Sequence, residues 1–235
     1  MIRITDQLPL IAFAIGLAAF VVMALLAASS DTFAGDLWAA RQLQSVESDV
    51  FATPLNWTED LAESPLVVIV AGAAALAFLL AGRRLDAAAL MLGTQVASVV
   101  VPLLKETIER PRPSPDLVNV SSTPSDFSFP SGHAFSAMLV FGLLFYLVSV
   151  HVQQGALRVA LQVGCAWVVV VTGLERVYVG HHWPSDVLGG FLAGGIFLAL
   201  FAWLHHSHFL DRLRGRAAGS ERTTAPAVRG KTGGA

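Results

Sequence analysis

The chain has 235 residues, of which 54% are hydrophobic and 14% are charged, and its mean hydropathy is +0.63. A soluble domain carries about 25% charged residues, so the deficit indicates that lipid surrounds much of the surface. The formal net charge is −2, and no basic stripe interleaved with aromatic residues occurs, which argues against nucleic-acid binding. The single Cys165 excludes an intramolecular disulfide and a metal cluster of cysteines.

Six apolar segments predict membrane-spanning helices, because a span needs about 20 mostly apolar residues. None of them shows the polar stripe of a soluble amphipathic helix. The sequence therefore predicts an all-α, polytopic membrane bundle of about six transmembrane helices within residues 1–210. The segments cover roughly Leu8–Ala28, Pro65–Ala81, Ala87–Leu104, Ala134–Val152, Leu157–Leu174 and Val187–Leu204. We expect the first to be a retained anchor, because its apolar run exceeds the 7–15 residues of a signal-peptide core.

The placement of lysine and arginine predicts how the bundle lies in a cell (inner) membrane. Arg83-Arg84 and Arg158 fall in the turns after the second and fourth segments, and a basic stretch follows the sixth. These regions should be cytoplasmic, since positively charged loops stay inside. The loop between the first two segments is acidic and belongs outside. Both termini are therefore expected in the cytoplasm, with the loops after the third and fifth segments on the outer face.

Two stretches outside the six segments carry further predictions. Residues 36–51 place apolar side chains on one helical face, which fits either an interfacial amphipathic helix or a short packed helix in the first outer loop. Residues 211–235 are predicted to form a disordered, basic cytoplasmic tail. His205, His206 and His208 are interpreted as polar residues at the membrane exit rather than a metal site, since only Asp211 accompanies them.

Three polar clusters lie at the outer ends of the apolar segments. In the first, Lys105 and Arg112 are seven residues apart, so a continuing helix places them on one face. Pro111 and Pro113 then end that helix. As isolated cations the pair fits either membrane-surface anchors or ligands for an anion.

The second cluster is Pro130-Ser131-Gly132-His133, at the start of the fourth segment. Proline favours the first helical position, and glycine lets a ligand approach the backbone. The amide groups and the dipole of a helix N-terminus bind anions, and the Ser131 hydroxyl adds a donor. Taken alone, the motif fits either an anion site or an ordinary capped turn.

The third cluster follows the fifth segment and contains Arg176, His182 and Asp186. Since His182 and Asp186 are four residues apart, the carboxylate can bind one imidazole nitrogen and leave the other with a lone pair for attack. His181 has no aspartate at this offset, which favours His182. The residue types alone do not assign the attack to His182 rather than His133.

In order and spacing the three clusters resemble the signature of the type-2 phosphatidic acid phosphatase superfamily. That signature is Lys, six residues, Arg-Pro; then Pro-Ser-Gly-His; then Ser-Arg, five residues, His, three residues, Asp. It reads here, within about residues 105–190, as Lys105 to Arg112-Pro113, Pro130 to His133, and Arg176 through His182 to Asp186. Glu175 departs from the pattern, because it replaces the serine and would repel an anion unless it pairs with a cation.

The resemblance implies that the clusters bind and transfer a phosphoryl group. The implied phosphate ligands are Lys105, Arg112, Arg176, Ser131 and the amide of Gly132. His182 attacks phosphorus and becomes a phosphohistidine, Asp186 orients it, and His133 protonates the leaving oxygen and then activates water. The cations take the place of a metal, so neither a metal nor another cofactor is expected.

The resemblance also implies a lipid phosphate as substrate, within a membrane of ordinary lipids. Candidates are a polyprenyl pyrophosphate, phosphatidic acid and phosphatidylglycerol phosphate, and an outward-facing site favours the first. Arg110 fits either a ligand for a second phosphate or an exposed charge. A lipid phosphotransferase and a non-catalytic lipid-phosphate binding or transport protein are the alternatives. Gly190 and Gly194 are predicted to allow close packing within the bundle.

Overall fold

The computed structural model describes residues 4–46 and 66–224. The described residues form seven α-helices and no strand, so the all-α prediction is confirmed. The helices are α1 (Ile4–Ser29), α2 (Asp36–Gln44), α3 (Leu66–Leu80), α4 (Arg84–Ile108), α5 (Gly132–His151), α6 (Ala156–Tyr178) and α7 (Pro184–Thr224).

Five of these helices are long and apolar enough to cross a membrane, and α3 is a shorter apolar helix. Within the described residues, each of the six predicted segments corresponds to one of these helices, and only Ala81 and Val152 lie one residue past a helix end. The prediction of a polytopic membrane bundle is therefore confirmed. The short α2 belongs to the loop between the first and second apolar helices.

Helix α5 lies at the centre of the bundle. Half of its span is buried inside the protein, against 11% for α1, because α4, α6 and α7 all pack against it. A Cβ atom on Gly190 would lie 2.5 Å from the Ser131 carbonyl oxygen, and one on Gly194 would lie 2.7 Å from that of Phe135. These two glycines bring α7 against α5, which confirms their predicted role in packing within the bundle.

The loop between α1 and α3 contains the helix predicted there, and this helix packs against the rest of the protein. Helix α2 ends at Gln44, and residues 47–51 of the predicted helix lie outside the described residues. Ala40 is buried in a cluster that includes Val118 and Trp183. The Gln44 side chain donates to the carbonyl oxygens of Asn119 (2.7 Å) and Tyr178 (2.9 Å). Helix α2 thus holds the loop after α4 against the end of α6.

The last helix extends well beyond the predicted sixth segment. Helix α7 continues to Thr224, so residues 211–224, predicted as a disordered tail, have a helical backbone in this structure. Residues 225–235 of that tail lie outside the described residues. A boundary between membrane domain and tail at residue 210 stays a prediction.

Candidate active site

A cavity of about 590 Å³ opens between α3, α4, α5 and the loops that follow α4 and α6. Its wall beside the loops is polar, whereas along the deeper turns of α4 and α5 alkyl side chains alternate with the hydroxyl groups of Thr94, Ser98 and Ser136. The polar lining residues include Lys105, Arg112, Asp126, His133, Arg176, His181 and His182, and the apolar ones include Val67, Val68, Ala97, Val101 and Val140. The cavity therefore offers one wall for an anion and another for hydrocarbon.

Six of the eight predicted site residues line this cavity. They are Lys105, Arg112, Gly132, His133, Arg176 and His182. The other two, Ser131 and Asp186, are fully buried and do not line it. The structure thus brings all three sequence clusters together, with two members behind the wall.

Lys105 and Arg112 reach the cavity from different parts of the backbone. Helix α4 ends at Ile108, and Glu109 follows with φ 54°, so the prediction that both cations share one helical face is wrong. The helix stops early because a proline at 111 disfavours a helical residue before it. Lys105 therefore projects from the last turn of α4, and Arg112 projects from the loop.

The two cations nevertheless converge on one carboxylate, Asp126. Lys105 Nζ lies 2.5 Å from Asp126 Oδ2, and the Arg112 NH2 group lies 2.6 Å from Asp126 Oδ1. Burial raises the pKa of Asp126, but the hydrogen bonds and charges of Lys105 and Arg112 outweigh it and lower the pKa to about 2. Asp126 is 50% exposed and occupies the place where an incoming anion would meet these cations. No motif marked it in the sequence.

Arg176 is held by its neighbour Glu175 at the end of α6. Both side chains are buried, and Arg176 donates through Nε to Glu175 Oε2 and through NH2 to Glu175 Oε1 at 2.5 Å. Its NH1 group lies 3.4 Å from His181 Nδ1. Glu175 therefore pairs with a cation, which is the arrangement that reconciles a carboxylate with a neighbouring anion site.

A glycine turn delivers the two histidines that follow α6. Gly180 has φ 74°, and a Cβ atom there would lie 2.0 Å from the Asn119 carbonyl oxygen, so only glycine fits. His181 turns its Nε2 to the hydroxyl groups of Ser121 (3.1 Å) and Ser122 (2.7 Å). His182 turns towards Asp186 instead, as its spacing predicted.

A serine hydroxyl connects His182 with Asp186. His182 Nδ1 lies 3.8 Å from Asp186 Oδ2, which is too long for a direct hydrogen bond. Ser128 Oγ lies 3.4 Å from the same nitrogen and donates to Asp186 Oδ2 at 2.5 Å. The Trp183 amide also donates to that oxygen at 2.8 Å. Ser128 was missed because no local spacing links it to the third cluster.

The opposite nitrogen of His182 faces the cavity. Arg112 NH1 lies 3.4 Å from His182 Nε2. Burial, together with the nearby Arg112 and Lys105 charges, lowers the pKa of His182 to about 4, against the raising effect of Asp186. The imidazole is therefore neutral at pH 7, with its Nδ1 side towards Ser128 and Asp186 and a lone pair available at Nε2.

Arg110 fits neither of its two predicted roles. It is 1% exposed and does not line the cavity; its NH1 group contacts Asp186 Oδ1 at 2.5 Å and its NH2 group contacts Asp36 Oδ2 at 2.8 Å. Asp36 also accepts from the Ser185 amide (3.0 Å) and hydroxyl (2.6 Å). Arg110 thus fixes Asp186 from behind and ties the start of α2 to the start of α7.

The start of α5 forms another part of the cavity wall. Gly132 and His133 line it, and a Cβ atom on Gly132 would come within 3.2 Å of Val101. The backbone amide of Ser131 donates to the Asp186 carbonyl oxygen at 3.0 Å. Its buried hydroxyl makes no hydrogen bond with any described residue. The helix N-terminus therefore faces the cavity, while the Ser131 hydroxyl is turned into the protein.

The comparison with protein families agrees with this assembly of clusters. A family model described as PAP2 superfamily matches residues 86–209, which is more than half of the chain. The chain belongs to the PAP2 superfamily. The matched region contains every predicted site residue of the three clusters.

Curated relatives match this chain over shorter stretches. A phosphatidylglycerophosphatase B of Bacillus subtilis is 42% identical over 94 residues, which cover 39% of this chain and 44% of the relative. An undecaprenyl-diphosphatase of Sulfolobus acidocaldarius is 35% identical over 77 residues, which cover 30% of each chain. The alignments therefore span less than half the length of these two relatives.

A solved structure matches over more of the fold. The crystal structure of a transmembrane PAP2 type phosphatidylglycerolphosphate phosphatase from Bacillus subtilis superposes with a TM-score of 0.62 at 24% identity. The superposition covers 81% of this chain and 96% of that one. This likeness supports the arrangement of the helices described above.

Proposed function

We propose that this chain is an integral-membrane phosphatase that hydrolyses a phosphomonoester or a diphosphate of a lipid. One observation carries the proposal: a neutral, buried His182 presents Nε2 to a cavity, 3.4 Å from the Arg112 guanidinium. A lone-pair nitrogen beside a clamp of cations is what attack on a phosphoryl group requires. The names of the phosphatase relatives support the same reaction class.

In the proposed reaction, His182 Nε2 forms a bond to phosphorus while the bond to the leaving oxygen breaks. His133, in the first turn of α5, supplies a proton to that oxygen. His133 then takes a proton from a water molecule, which attacks phosphorus and breaks the P–N bond. Inorganic phosphate leaves, and His182 returns to its neutral form. Ser128 and Asp186 hold the Nδ1 side and stabilise the positive charge that develops on the ring.

The cations of the cavity are proposed to bind the phosphoryl oxygens. Lys105 and Arg112 converge on the place that Asp126 occupies, and Arg176 is oriented by Glu175. Fixed positive groups stabilise the charge that develops in the transition state without having to reorganise. The amide of Gly132 at the α5 N-terminus adds a donor from the backbone.

The apolar wall of the cavity supports a lipid as the substrate. Ala97, Val101 and Val140 extend the cavity from the polar clusters along helices that cross the membrane. A phosphate head group can bind the cations while its hydrocarbon chain lies along this wall. We propose a polyprenyl pyrophosphate first, and phosphatidic acid or phosphatidylglycerol phosphate as the other candidates.

The proposed location is the cell (inner) membrane, with both termini in the cytoplasm and the cavity on the outer face. The excess of arginine in the α3–α4 turn and after the sixth span supports this orientation. A head group on the outer leaflet would then reach the cavity directly.

Phosphate release by the purified protein in detergent and EDTA tests the proposal. The three candidate lipids are assayed in parallel, with His182→Ala as the inactive variant and His181→Ala as its matched neighbour. Release that requires His182 supports a phosphatase, and the ranking of the lipids identifies the substrate class. If no lipid releases phosphate, or if His182→Ala retains full activity, the proposal is wrong.

A further inference from the structure

Three residues of types that commonly bind metal ions lie together at the end of the bundle opposite the phosphate cavity. Asp86 in the first turn of α4, His151 in the last turn of α5 and His205 of α7 place their ligand atoms within 4.8 Å of one another. Asp86 Oδ2 lies 2.9 Å from His151 Nε2, and Asp86 Oδ1 lies 2.9 Å from His205 Nε2. Two imidazoles from different helices thus meet the two oxygens of one carboxylate.

One oxygen of this carboxylate is left without a hydrogen bond. The Asp86 side chain is only 6% exposed, and its Oδ1 atom accepts no hydrogen bond from any described residue, although His205 Nε2 lies beside it. A buried carboxylate oxygen in this state costs free energy. A cation between Oδ1 and Nε2 would satisfy both atoms through their lone pairs.

From this geometry we infer that Asp86, His151 and His205 form a binding site for a divalent transition metal of the Zn²⁺ type. Imidazole nitrogen with one carboxylate oxygen is a donor set that suits Zn²⁺ and its first-row neighbours. Tetrahedral Zn²⁺ holds its ligand atoms about 3.3 Å apart, given metal–ligand bonds of about 2.0–2.1 Å. The two 2.9 Å contacts, one to each oxygen of Asp86, would widen by a few tenths of an ångström. The ligand atoms of the three residues lie within 4.8 Å of one another and would draw in around the ion.

The surroundings of His205 favour metal binding through Nε2, whereas at His151 an arginine has to move first. Tyr146 OH lies 3.1 Å from His205 Nδ1, so it can accept a hydrogen bond from Nδ1–H and orient the ring, as outer partners of metal ligands do. Arg83 NH1 lies 2.5 Å from His151 Nδ1 and 3.2 Å from its Nε2. Arginine only donates hydrogen bonds, so it competes with a metal for this ring. Arg83 is exposed, and its contact contributes little to stability, so it can move aside.

The site is separate from the phosphate cavity. Asp86 and Lys105 stand 19 positions apart on α4, which corresponds to about 28 Å along a helix. His133 and His151 similarly mark the two ends of α5. A metal at this cluster would fasten together α4, α5 and α7, the helices that carry Lys105, His133 and Asp186, without touching the substrate.

Metal titration of the full chain in detergent tests the inference. Tag-free protein is stripped with EDTA, freed of chelator and titrated with Zn²⁺ by calorimetry and with Co²⁺ by visible absorption. We expect one Zn²⁺ to bind per chain, and we expect the visible absorption of bound Co²⁺ to be typical of an ion with a low coordination number. The melting temperature should rise by roughly 5 °C at saturating Zn²⁺. Asp86→Asn and His151→Gln should each weaken binding about 100-fold, since losing even an outer partner costs 10–100-fold.

Two further variants test whether these three residues, rather than the neighbouring histidines, hold the metal. Arg83→Gln should bind Zn²⁺ several-fold more tightly, because it removes the competing donor and a like charge, and misfolding would not produce that gain. His206→Gln with His208→Gln removes the sequence neighbours of His205 and should leave the affinity unchanged. Absence of stoichiometric binding by the parent protein would overturn the inference. Loss of binding in the His206/His208 variant with retention in His151→Gln would also overturn it.

Discussion

Asp126 occupies the two cations that we propose as phosphate ligands, so its replacement by asparagine tests how the cavity receives an anion. An incoming phosphoryl group must either displace the carboxylate from Lys105 and Arg112 or bind beside it. Displacement means that the enzyme breaks two ion pairs, of 2.5 Å and 2.6 Å, each time a substrate binds. Asp126→Asn removes this competing charge while keeping the size of the side chain.

The pKa of Asp126 gives the size of the effect. A fall from its ordinary value of 3.8 to about 2 corresponds to roughly 2.5 kcal/mol at 1.36 kcal/mol for each pKa unit. The side chain is 50% exposed, so solvent screening reduces this to about 1 kcal/mol. We therefore expect KM and the inhibition constant of inorganic phosphate to fall about fivefold in Asp126→Asn. The value of kcat should stay level or decrease, because product phosphate leaves more slowly.

Steady-state kinetics in EDTA with inorganic phosphate as a competing product measure both constants. Asp116→Asn is the matched control, since Asp116 is an exposed carboxylate of the same loop that contacts only Ser114 among the described hydrogen bonds. It should change neither constant. An increase of KM and of the phosphate inhibition constant in Asp126→Asn would refute displacement and would make Asp126 a residue that positions the two cations.

Three other predictions concern the buried groups around His182. Ser128→Ala should lower kcat about 10–100-fold with little change in KM, because Nδ1 of His182 loses the hydroxyl that connects it with Asp186. Ser122, which contacts His181 instead, is the control, and an equal loss of kcat in Ser122→Ala would contradict this role of Ser128. Protonation of His182 removes its lone pair, so the acid limb of the kcat/KM profile should begin below about pH 5 and fall through about pH 4; an acid limb centred near pH 6.5 would contradict its assignment to His182. Arg110→Met should lower the melting temperature by roughly 10 °C, because it leaves the buried carboxylates of Asp36 and Asp186 without their cation, a loss of stability of about 3–5 kcal/mol. Replacement of the exposed Arg84 by glutamine is the control and should leave the melting temperature unchanged.

The membrane fold could be predicted because its signals are local. Long apolar runs require helices in lipid, where every backbone polar group must be bonded within its own segment. The central position of α5 could not be predicted, because its hydropathy falls within the range of the other spans. The order of packing depends on contacts such as Gly190 against Ser131.

The cavity could be predicted only as far as its sequence motifs extend. Lys105, Arg112 and His182 carry recognisable spacing, but the path of the chain after Ile108 put Arg112 in a loop rather than on the helix. Asp126 and Ser128 meet these residues only through folding of the loop after α4. Their partners lie between 14 and 58 positions away in the sequence, and no local pattern indicates such contacts.

Arg110 and His205 show the same limit for buried polar residues. The sequence showed that Arg110 is charged and that His205 belongs to a run of histidines. The roles of both residues depend on carboxylates that other, distant helices supply. Asp36 and Asp186 meet Arg110 from opposite sides, and Asp86 meets His205 across the bundle. Hydropathy places such residues near a membrane boundary and says nothing about which partner they reach.

Nucleophilic attack by His182 is the step on which the proposed function depends, and trapping the phosphoryl group on this residue tests it. His133→Asn slows the release step, and a phosphate ester whose leaving oxygen needs no proton allows the first step to continue. After rapid mixing and an alkaline quench, we expect up to one phosphoryl group per chain, located on His182 by mass spectrometry and absent from the His133→Asn/His182→Ala double variant. A phosphoryl group on another residue, or turnover by the parent protein with no phosphoenzyme trapped in His133→Asn, would contradict the proposed attack.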